Sequence, residues 1–236
     1  MRINAFLAKS GLASRRKAEF FVTEGRVTIN GKSATLTDHV EECDLVKLDG
    51  NPIILVEKKY YLVNKPVGYT STVDDPHADK KVVDLIEEKG LFPVGRLDKD
   101  SEGLMILTND GEFAQKLIHP KFSHEREYIV EVRLPFKQRS EKLEFAIKFF
   151  KCGIRLDEKR TEPCEIKLLS QIGSVATFDI IMKEGMKRQI RRTFEKAHLE
   201  VINLKRIRIA DYILGDLEPG ESKAFAVNEG TKNDLI

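Results

Sequence analysis

The chain has 236 residues, 41% hydrophobic and 33% charged, an ordinary balance for a soluble fold of one large domain or of a small and a medium one. It has no run near the roughly 18 apolar residues of a membrane span, no signal-peptide core, and three scattered cysteines (Cys43, Cys152, Cys164) without a Cys-x-x-Cys; a membrane protein, a disulfide framework and a zinc site are disfavoured, and a cytoplasmic location is expected. The net charge of +2 hides two basic clusters, seven Lys/Arg against two Glu in residues 1–32 and nine against three in residues 183–208, which suggests a polyanion gripped at two places.

Residues 1–48 read as a compact module. Arg2 to Ser10 predicts a short amphipathic helix with Ile3, Phe6 and Leu7 on one face, ended by Gly11. Ser14 is placed to cap a second helix, whose Ala18, Phe21 and Val22 fall at i, i+3 and i+4. Gly25 closes that helix, and Arg26 to Lys32 reads as a strand entering an Asn30-Gly31 hairpin turn. Arg15, Arg16 and Lys17 sit in the first turn of the second helix, where cations oppose the macrodipole at about 0.3–1 kcal/mol each. Three such placements in a row make sense if an anion, with phosphate the obvious candidate, docks at that end. Arg2-Ile-Asn, Leu7-Ala8, Gly11 to Glu19 and Gly25 to Gly31 together resemble the small RNA-binding domain first seen in a ribosomal protein of the small subunit. The resemblance implies RNA contacts from Arg2, Arg15, Arg16, Lys17 and Arg26; Ala5 stands where a lysine is common.

Residues 49–59 form a polar connector with Gly50 and Pro52. A strand from Tyr60 is stopped by Pro66, a loop reaches Lys81, and a helix is predicted over Val82–Lys89. Next comes the densest stretch of the chain, Phe92 to Gly111, which packs Arg96, Asp98, Asp100 and Glu102 ahead of an apolar run, Leu104–Leu107, that reads as a buried strand. Charges beside a buried strand lose hydration unless paired, an arrangement that proteins tolerate mainly at working sites. Asp98, Asp100, Glu102 and Gly103 match positions 1, 3, 5 and 6 of a calcium loop. Position 12 would be Asn109 rather than a bidentate Glu, however, and Phe92-Pro-Val-Gly95 is a poor entering helix. A solvated acidic turn and a catalytic carboxylate remain.

Farther along, Glu112–Ile118 predicts a helix ended by His119-Pro120, and Glu125–Val132 alternates as a strand. Ser140 is expected to cap a helix to Phe150. Strands are expected near Cys164–Leu169, Val175–Met182 and Val201–Ile209, with a frayed tail after Gly230. Between the last two strands, Met186, Ile190, Phe194 and Ala197 mark the apolar face of a helix starting near Glu184. On it, Lys187/Arg191 and Arg188/Arg192 are repelling i, i+4 pairs.

Asn64-Lys-Pro-Val-Gly68, Gly95-Arg-Leu-Asp-Lys-Asp-Ser-Glu-Gly-Leu104, Arg126-Glu-Tyr128 and Gly185-Met-Lys-Arg-Gln-Ile-Arg-Arg192 resemble the motif set of bacterial pseudouridine synthases that modify ribosomal RNA, in the branch with the same small RNA-binding domain at its N-terminus. The resemblance covers essentially the whole chain; Arg126 stands where lysine is more usual. It implies an α+β protein: a small helix-helix-hairpin domain over 1–48, a linker over 49–59, and a catalytic domain over 60–236 with a mixed, largely antiparallel sheet, flanking helices and a cleft across its middle. No cofactor or metal is expected, since the isomerisation neither oxidises nor imports a group. By resemblance Asp98 acts on the flipped uridine, as nucleophile or as the base that removes a ribose proton. Arg191 is expected to pair with Asp98, because an isolated buried carboxylate would protonate. Ile190 would pack beneath the base, and Tyr128 would stack on it and take the proton from carbon 5. Arg96 would fill the vacated stack or hold a phosphate, Lys65 would stabilise the site, and Lys187, Arg188 and Arg192 would contact RNA.

The expected partner is ribosomal RNA, met by a monomer, with a large-subunit site favoured over a small-subunit one. Two rivals are a non-catalytic RNA-binding assembly protein and a glycoside hydrolase. The first would leave the Asp98 stretch without purpose. The second needs two carboxylates held about 5–9.5 Å apart, and nothing beyond Asp98 and Asp100 points to sugar.

Overall fold

A computed structural model of the chain describes residues 1–137 and 139–227; the frayed tail expected after Gly230 lies outside the described residues. Helices α1 (Ile3–Lys9) and α2 (Arg15–Thr23) bury Ile3, Leu7, Ala18, Phe21 and Val22 in a small core of their own, closed by Val27 and Val46. Ser14 caps α2, its side chain accepting from the Lys17 amide at 3.3 Å. Strand β1 (Val27–Ile29) turns at Asn30-Gly31 into β2 (Lys32–Ser33), both turn residues having positive φ as a tight hairpin requires. With β3 (Val46–Leu48) and β4 (Asn51–Pro52) they form a four-stranded sheet in the order β2-β1-β3-β4. Ile53 packs on the same core, so this unit runs past residue 48 into the expected connector.

The second sheet begins with β5 (Tyr60–Lys65), β6 (Phe92–Pro93), β7 (Glu102–Thr108) and β8 (Arg126–Arg133). It takes in β11 (Glu165–Ile172), β12 (Val175–Met182), β13 (Glu200–Ile209), β14 (Tyr212–Ile213) and β15 (Ser222–Ala224), while β9 (Arg155–Leu156) and β10 (Lys159–Arg160) make a separate hairpin. The order is β11-β12-β8-β13-β7-β5-β15, with β6 on β7 and β14 on β13. Among the described residues β13 and β7 are the parallel pair, and the other strand pairs of this sheet are antiparallel. Helices α4 (Arg139–Cys152) and α5 (Gln189–Lys196) cover one face, where Phe150 and Phe178 meet Phe194 at ring distances of 4.9 and 5.3 Å. Helix α3 (Gly111–Ile118), capped by Asp110, covers the other. Strand β7 is therefore sandwiched: Met105 and Leu107 face one core, Leu104 and Ile106 the other, which is why its apolar run is continuous rather than alternating.

Three expectations change. The helix over Val82–Lys89 is only a 3-10 turn, Val82–Leu85: Asp84 accepts from the Lys81 amide, and Ile86 is already extended. Ser140 lies inside α4, which starts at Arg139. The last helix starts at Gln189, because Arg188 takes φ 53° and breaks the helical path from Glu184; Lys187 and Arg188 thus precede it and form no helical pairs with Arg191 and Arg192.

Two features fix the stretch that leads into β7. At Gly103, φ is +106° and the backbone lies so close to β13 that a Cβ would sit 2.2 Å from the Arg206 carbonyl oxygen. Just beneath, the fully buried Lys65 ammonium donates to the Ser101 carbonyl at 2.6 Å and to the Pro66 carbonyl at 2.9 Å. Burial pushes the Lys65 pKa down to about 8; the Arg206 charge adds to this, and Asp100, Asp98 and Glu102 oppose it.

Gly103→Ala is expected to lower stability by about 3 kcal/mol or more in urea unfolding, since backbone rather than a flexible side chain must move. For Lys65, the folded value lies below the unfolded one, so the buried charge opposes folding fully below about pH 8 and is relieved as pH rises toward 10.5. The stability of the wild type minus that of Lys65→Met should therefore climb by roughly 3 kcal/mol from pH 7.5 to 10.5. The carbonyls orphaned in the variant add an offset without slope, so a flat difference would contradict the charged buried state.

Candidate active site

The residues from Arg96 to Ser101 have no regular structure of their own and are held by backbone tethers. The Ser71 hydroxyl donates to the Leu97 carbonyl (2.7 Å) and accepts from the Leu97 amide (3.0 Å), and the Gly68 amide donates to the Lys99 carbonyl (2.7 Å). With Lys65 on Ser101, the loop is fixed at both ends beside the start of β7.

A cleft of about 440 Å³ opens beside it. Its walls are Arg96, Leu97, Asp98 and Ser101 from this loop, Tyr128 from β8, Met182 at the end of β12, Leu204 from β13, and the segment Gly185–Arg191 that leads into α5. Asp98, Tyr128, Ile190, Arg191 and Arg96 thus meet around one space despite lying up to 95 positions apart. Tyr128 and Ile190 present edges from the core, only 7% and 5% exposed, and the Asp98 side chain is 38% exposed. Arg96 and Lys187 are on the exposed rim. Lys65 is behind the wall, its ammonium spent on backbone carbonyls.

The expected Asp98–Arg191 pair is not the one formed. The cation nearest Asp98 is Arg188, Nη1 to Oδ2 3.8 Å, a guanidinium brought inward by the left-handed residue ahead of α5. Arg188 also grips Asp100 with two hydrogen bonds, Nη1 to Oδ1 at 3.0 Å and Nη2 to Oδ2 at 2.9 Å. Arg191, one turn farther on, is committed to backbone: Nη1 donates to the Val201 carbonyl (3.1 Å), Nη2 to that of Asp100 (2.6 Å). Its Nε lies 3.4 Å from Asp100 Oδ2 without a hydrogen bond. Burial alone would push the Asp100 carboxyl up, but the Arg188 hydrogen bonds and the two guanidinium charges outweigh it and hold it below the usual carboxylate value. Desolvation lowers Arg191, an effect that Asp100 and, more weakly, Asp98 oppose and Arg188 reinforces.

Of the other basic residues singled out from sequence, Arg2, Arg15, Arg16 and Lys17 are exposed, and the first turn of α2 holds no acid. Arg26 is engaged by Asp49 (Nε to Oδ1 2.9 Å) and its guanidinium lies 4.5 Å from the Phe21 ring centre. Arg192 turns away from the cleft to Asp157 at 2.6 Å.

Arg206 was not foreseen. It is fully buried under the cleft floor, donating from Nε to the Leu104 carbonyl (2.8 Å); burial pushes its pKa down, opposed by the neighbouring Tyr128 hydroxyl. The signal was available: Leu204, Arg206 and Arg208 alternate on one strand, and an arginine in the phase of a core leucine is a buried cation in need of partners. Ser71 carried no such signal, because its role depends wholly on where a loop returns.

Residues 59–196 match the family model described as RNA pseudouridylate synthase, and residues 1–46 match that of the S4 domain. The chain is 38% identical over 234 residues to the ribosomal large subunit pseudouridine synthase B of Bacillus subtilis (strain 168), covering 97% of this chain and 93% of that protein. It is 37% identical over 232 residues to the dual-specificity RNA pseudouridine synthase RluF of Escherichia coli (strain K12), with 97% and 77% covered. A solved structure described as a crystal structure of pseudouridylate synthase shares the fold, with a TM-score of 0.65 at 24% identity over 96% of each chain. A cleft walled by an aspartate, a tyrosine and a basic helix entrance, on a chain of this ancestry, makes the protein a member of the RNA pseudouridylate synthase family with an S4 domain at its N-terminal end.

Proposed function

We propose that this enzyme isomerises uridine to pseudouridine at a specific site in ribosomal RNA, a large-subunit site in preference to a small-subunit one, on a nucleotide flipped out of the RNA. The observation that carries the reading is the meeting of Asp98, Tyr128 and Ile190 in one open cleft of about 440 Å³, a volume suited to a single nucleotide. The ribosomal name of the B. subtilis relative supports the choice of RNA and subunit.

In this reading the glycosidic bond from ribose carbon 1 to ring nitrogen 1 breaks, the uracil turns, and a bond from carbon 1 to ring carbon 5 forms. The hydrogen on carbon 5 leaves as a proton and nitrogen 1 gains one, so the product is an isomer of the substrate. Asp98 acts at the sugar or base, as nucleophile or as the base that takes a ribose proton. Tyr128 offers its ring to the uracil and its hydroxyl to the proton on carbon 5, with Ile190 packed against the base. Arg191 braces the Asp98 loop through the Asp100 carbonyl, and Lys65 does so through Ser101. Arg96, Lys187 and Arg188 at the rim meet the flanking phosphates, and Arg192, paired with Asp157 outside the cleft, contacts RNA beyond them. The small domain, with Arg2, Arg15, Arg16, Lys17 and Arg26, anchors structured RNA, and the protein works as a cytoplasmic monomer.

Asp98→Ala should lower pseudouridine formation on an rRNA fragment by about 10³-fold or more while RNA affinity stays within about twofold. Wild-type turnover in that variant would sink the catalytic assignment, and joint loss of binding would favour an RNA-binding role alone. Replacing Arg15, Arg16 and Lys17 together with alanine should flatten the dependence of log affinity on log salt by about 2 to 3, near 0.7–0.9 for each phosphate no longer neutralised. An unchanged slope would remove the first turn of α2 from the RNA interface.

A further inference from the structure

Between α3 and β8 the chain makes a short aromatic loop that the chemistry just described does not use. Its 3-10 turn, Pro120–Phe122, is capped by His119, whose Nδ1 accepts from the Lys121 amide at 3.2 Å. Ser123 then takes φ 49° and reverses the chain. The His124 ring is thereby stacked on that of Phe122, 5.9 Å between centres at 21°, and His119 meets Phe122 edge-on at 6.3 Å. The ammonium of the exposed Lys121 lies 4.6 Å from the centre of the same Phe122 ring. Among the described residues Phe122 joins none of the three hydrophobic cores, and Nε2 of His124 is buried without a hydrogen-bond partner. Caps in the loop itself therefore hold the rings, not the packing of the domain.

The loop adjoins the cleft on two sides. Ile118 packs on Gly95, where a Cβ would stand 3.4 Å from Ile118 Cγ2, and Gly95 precedes Arg96 of the cleft wall. At the other end Arg126 Nη1 donates to the His124 carbonyl at 3.4 Å and to that of Lys183 at 3.1 Å, next to Met182 of the wall. His124 comes four residues before Tyr128, so it is at most about 14 Å away along the chain. Glu125, the acid nearest in sequence, is taken by Lys183 and Arg208, and neither Lys121 nor Arg126 has an acid partner among the described residues. Rings interleaved with unpaired cations complement a single strand of RNA, whose bases stack on the first and whose phosphates meet the second.

We propose that His119, Lys121, Phe122 and His124 form a stacking subsite for one unpaired base that flanks the target uridine. The subsite deepens the reading of the cleft as a uridine-isomerising site and rests on it. On binding, the Lys121 ammonium leaves the Phe122 ring for a neighbouring phosphate, and the base takes its place. Magnitudes favour the exchange: an exposed cation–ring contact is worth about two- to fivefold in an equilibrium, a base on an aromatic ring roughly 5- to 150-fold. The caps set the rings before RNA arrives, so little ordering opposes the contact. Stacking tolerates any base, so what the subsite reads is that a nucleotide near the target is unpaired, which separates uridines that the cleft alone would treat alike.

The test uses a ribosomal RNA stem-loop that the wild type modifies. At the stacked spacing of about 3.4 Å the 14 Å span is about four nucleotides, so 2-aminopurine is placed in turn at each unpaired position within that reach of the target. Its fluorescence should be quenched at least about twofold at one position when the wild type binds. Phe122→Leu should abolish the quenching and raise KM about tenfold, with kcat within about threefold and the melting temperature unchanged, whereas Phe122→Tyr should behave as the wild type. The decisive arm puts an abasic nucleotide at the quenched position: the wild type should lose about tenfold in affinity and Phe122→Leu less than about twofold, because a contact already absent cannot be lost again. Lys121→Gln should lower the slope of log affinity against log salt by about 0.7–0.9, the share of one phosphate. Should Phe122→Leu melt below the wild type, the quenching and abasic arms on the wild type and the slope of Lys121→Gln decide. No quenching at any position, an abasic penalty equal in the two proteins, or an unchanged slope overturns the subsite. If the wild type modifies no ribosomal RNA stem-loop, the reading of the cleft falls and the subsite with it; if it modifies one and the abasic comparison is flat, the subsite alone falls.

Discussion

The cleft depends on one close backbone approach, that of β7 to β13 at Gly103 and Arg206. This parallel seam joins two antiparallel blocks, β11-β12-β8-β13 on one side and β7-β5-β15 on the other. Glu102 opens β7 directly after the Asp98 loop, and Arg206 is in register with both Gly103 and Tyr128. The width of the seam therefore sets how far Asp98 stands from Tyr128. A side chain at position 103 would push the blocks apart where the Asp98 loop and Tyr128 line one cleft, and the backbone there also takes a φ that side chains disfavour. The Arg206 side chain, donating to the Leu104 carbonyl below, reinforces the same joint.

Under the seam lie two buried cations, Lys65 and Arg206, whose hydrogen-bond acceptors are main-chain carbonyls and, for Arg206, the neighbouring Tyr128 hydroxyl and Met105 sulfur. Neither side chain makes a direct ion pair with a carboxylate among the described residues, so their fields are not cancelled locally and reach the acids of the loop: Asp98, Asp100 and Glu102 all act on Lys65. Asp100 meets a guanidinium at hydrogen-bond distance as well, whereas the guanidinium nearest Asp98 is 3.8 Å away.

Local signals carried much of the fold in the sequence. The Ser14 cap, the Asn30-Gly31 turn, the continuous run Leu104–Leu107 and the alternation through β8 and β12 each have a cause within a few residues, and each is where it was expected. Failures came where a distant contact decided. Apolar spacing from Met186 to Ala197 reads as one helix, but Arg188 turns left-handed where it meets Asp100, and that turn puts Arg188, not Arg191, beside Asp98. The turn Val82–Leu85 stays a single one: the loop at Thr70, through its bridge to Lys81 and the Val82 amide on the Thr70 carbonyl (3.0 Å), fixes its start, and Ile86 is already extended. The two-residue strands β9, β10 and β14 are too short for any period to show.

The two basic clusters, equal to the eye in sequence, differ in what they leave for a polyanion. In the second, Arg188 and Arg191 are drawn to Asp100, Arg192 to Asp157, Arg208 to Glu127 and Lys183 to Glu125, and Arg206 is buried. Its charge is mostly paired with acids, and part of it helps to build the cleft. In the first, Arg15, Arg16 and Lys17 stand exposed at a helix start with no acid in the turn, and the Arg26–Asp49 pair is exposed enough to exchange for phosphate at small cost. A charge already paired within the protein releases fewer counterions from a polyanion than an unpaired one, so of the two clusters the first has more to offer. Arg96 and Lys187 are placed differently again, exposed at the rim of the cleft itself.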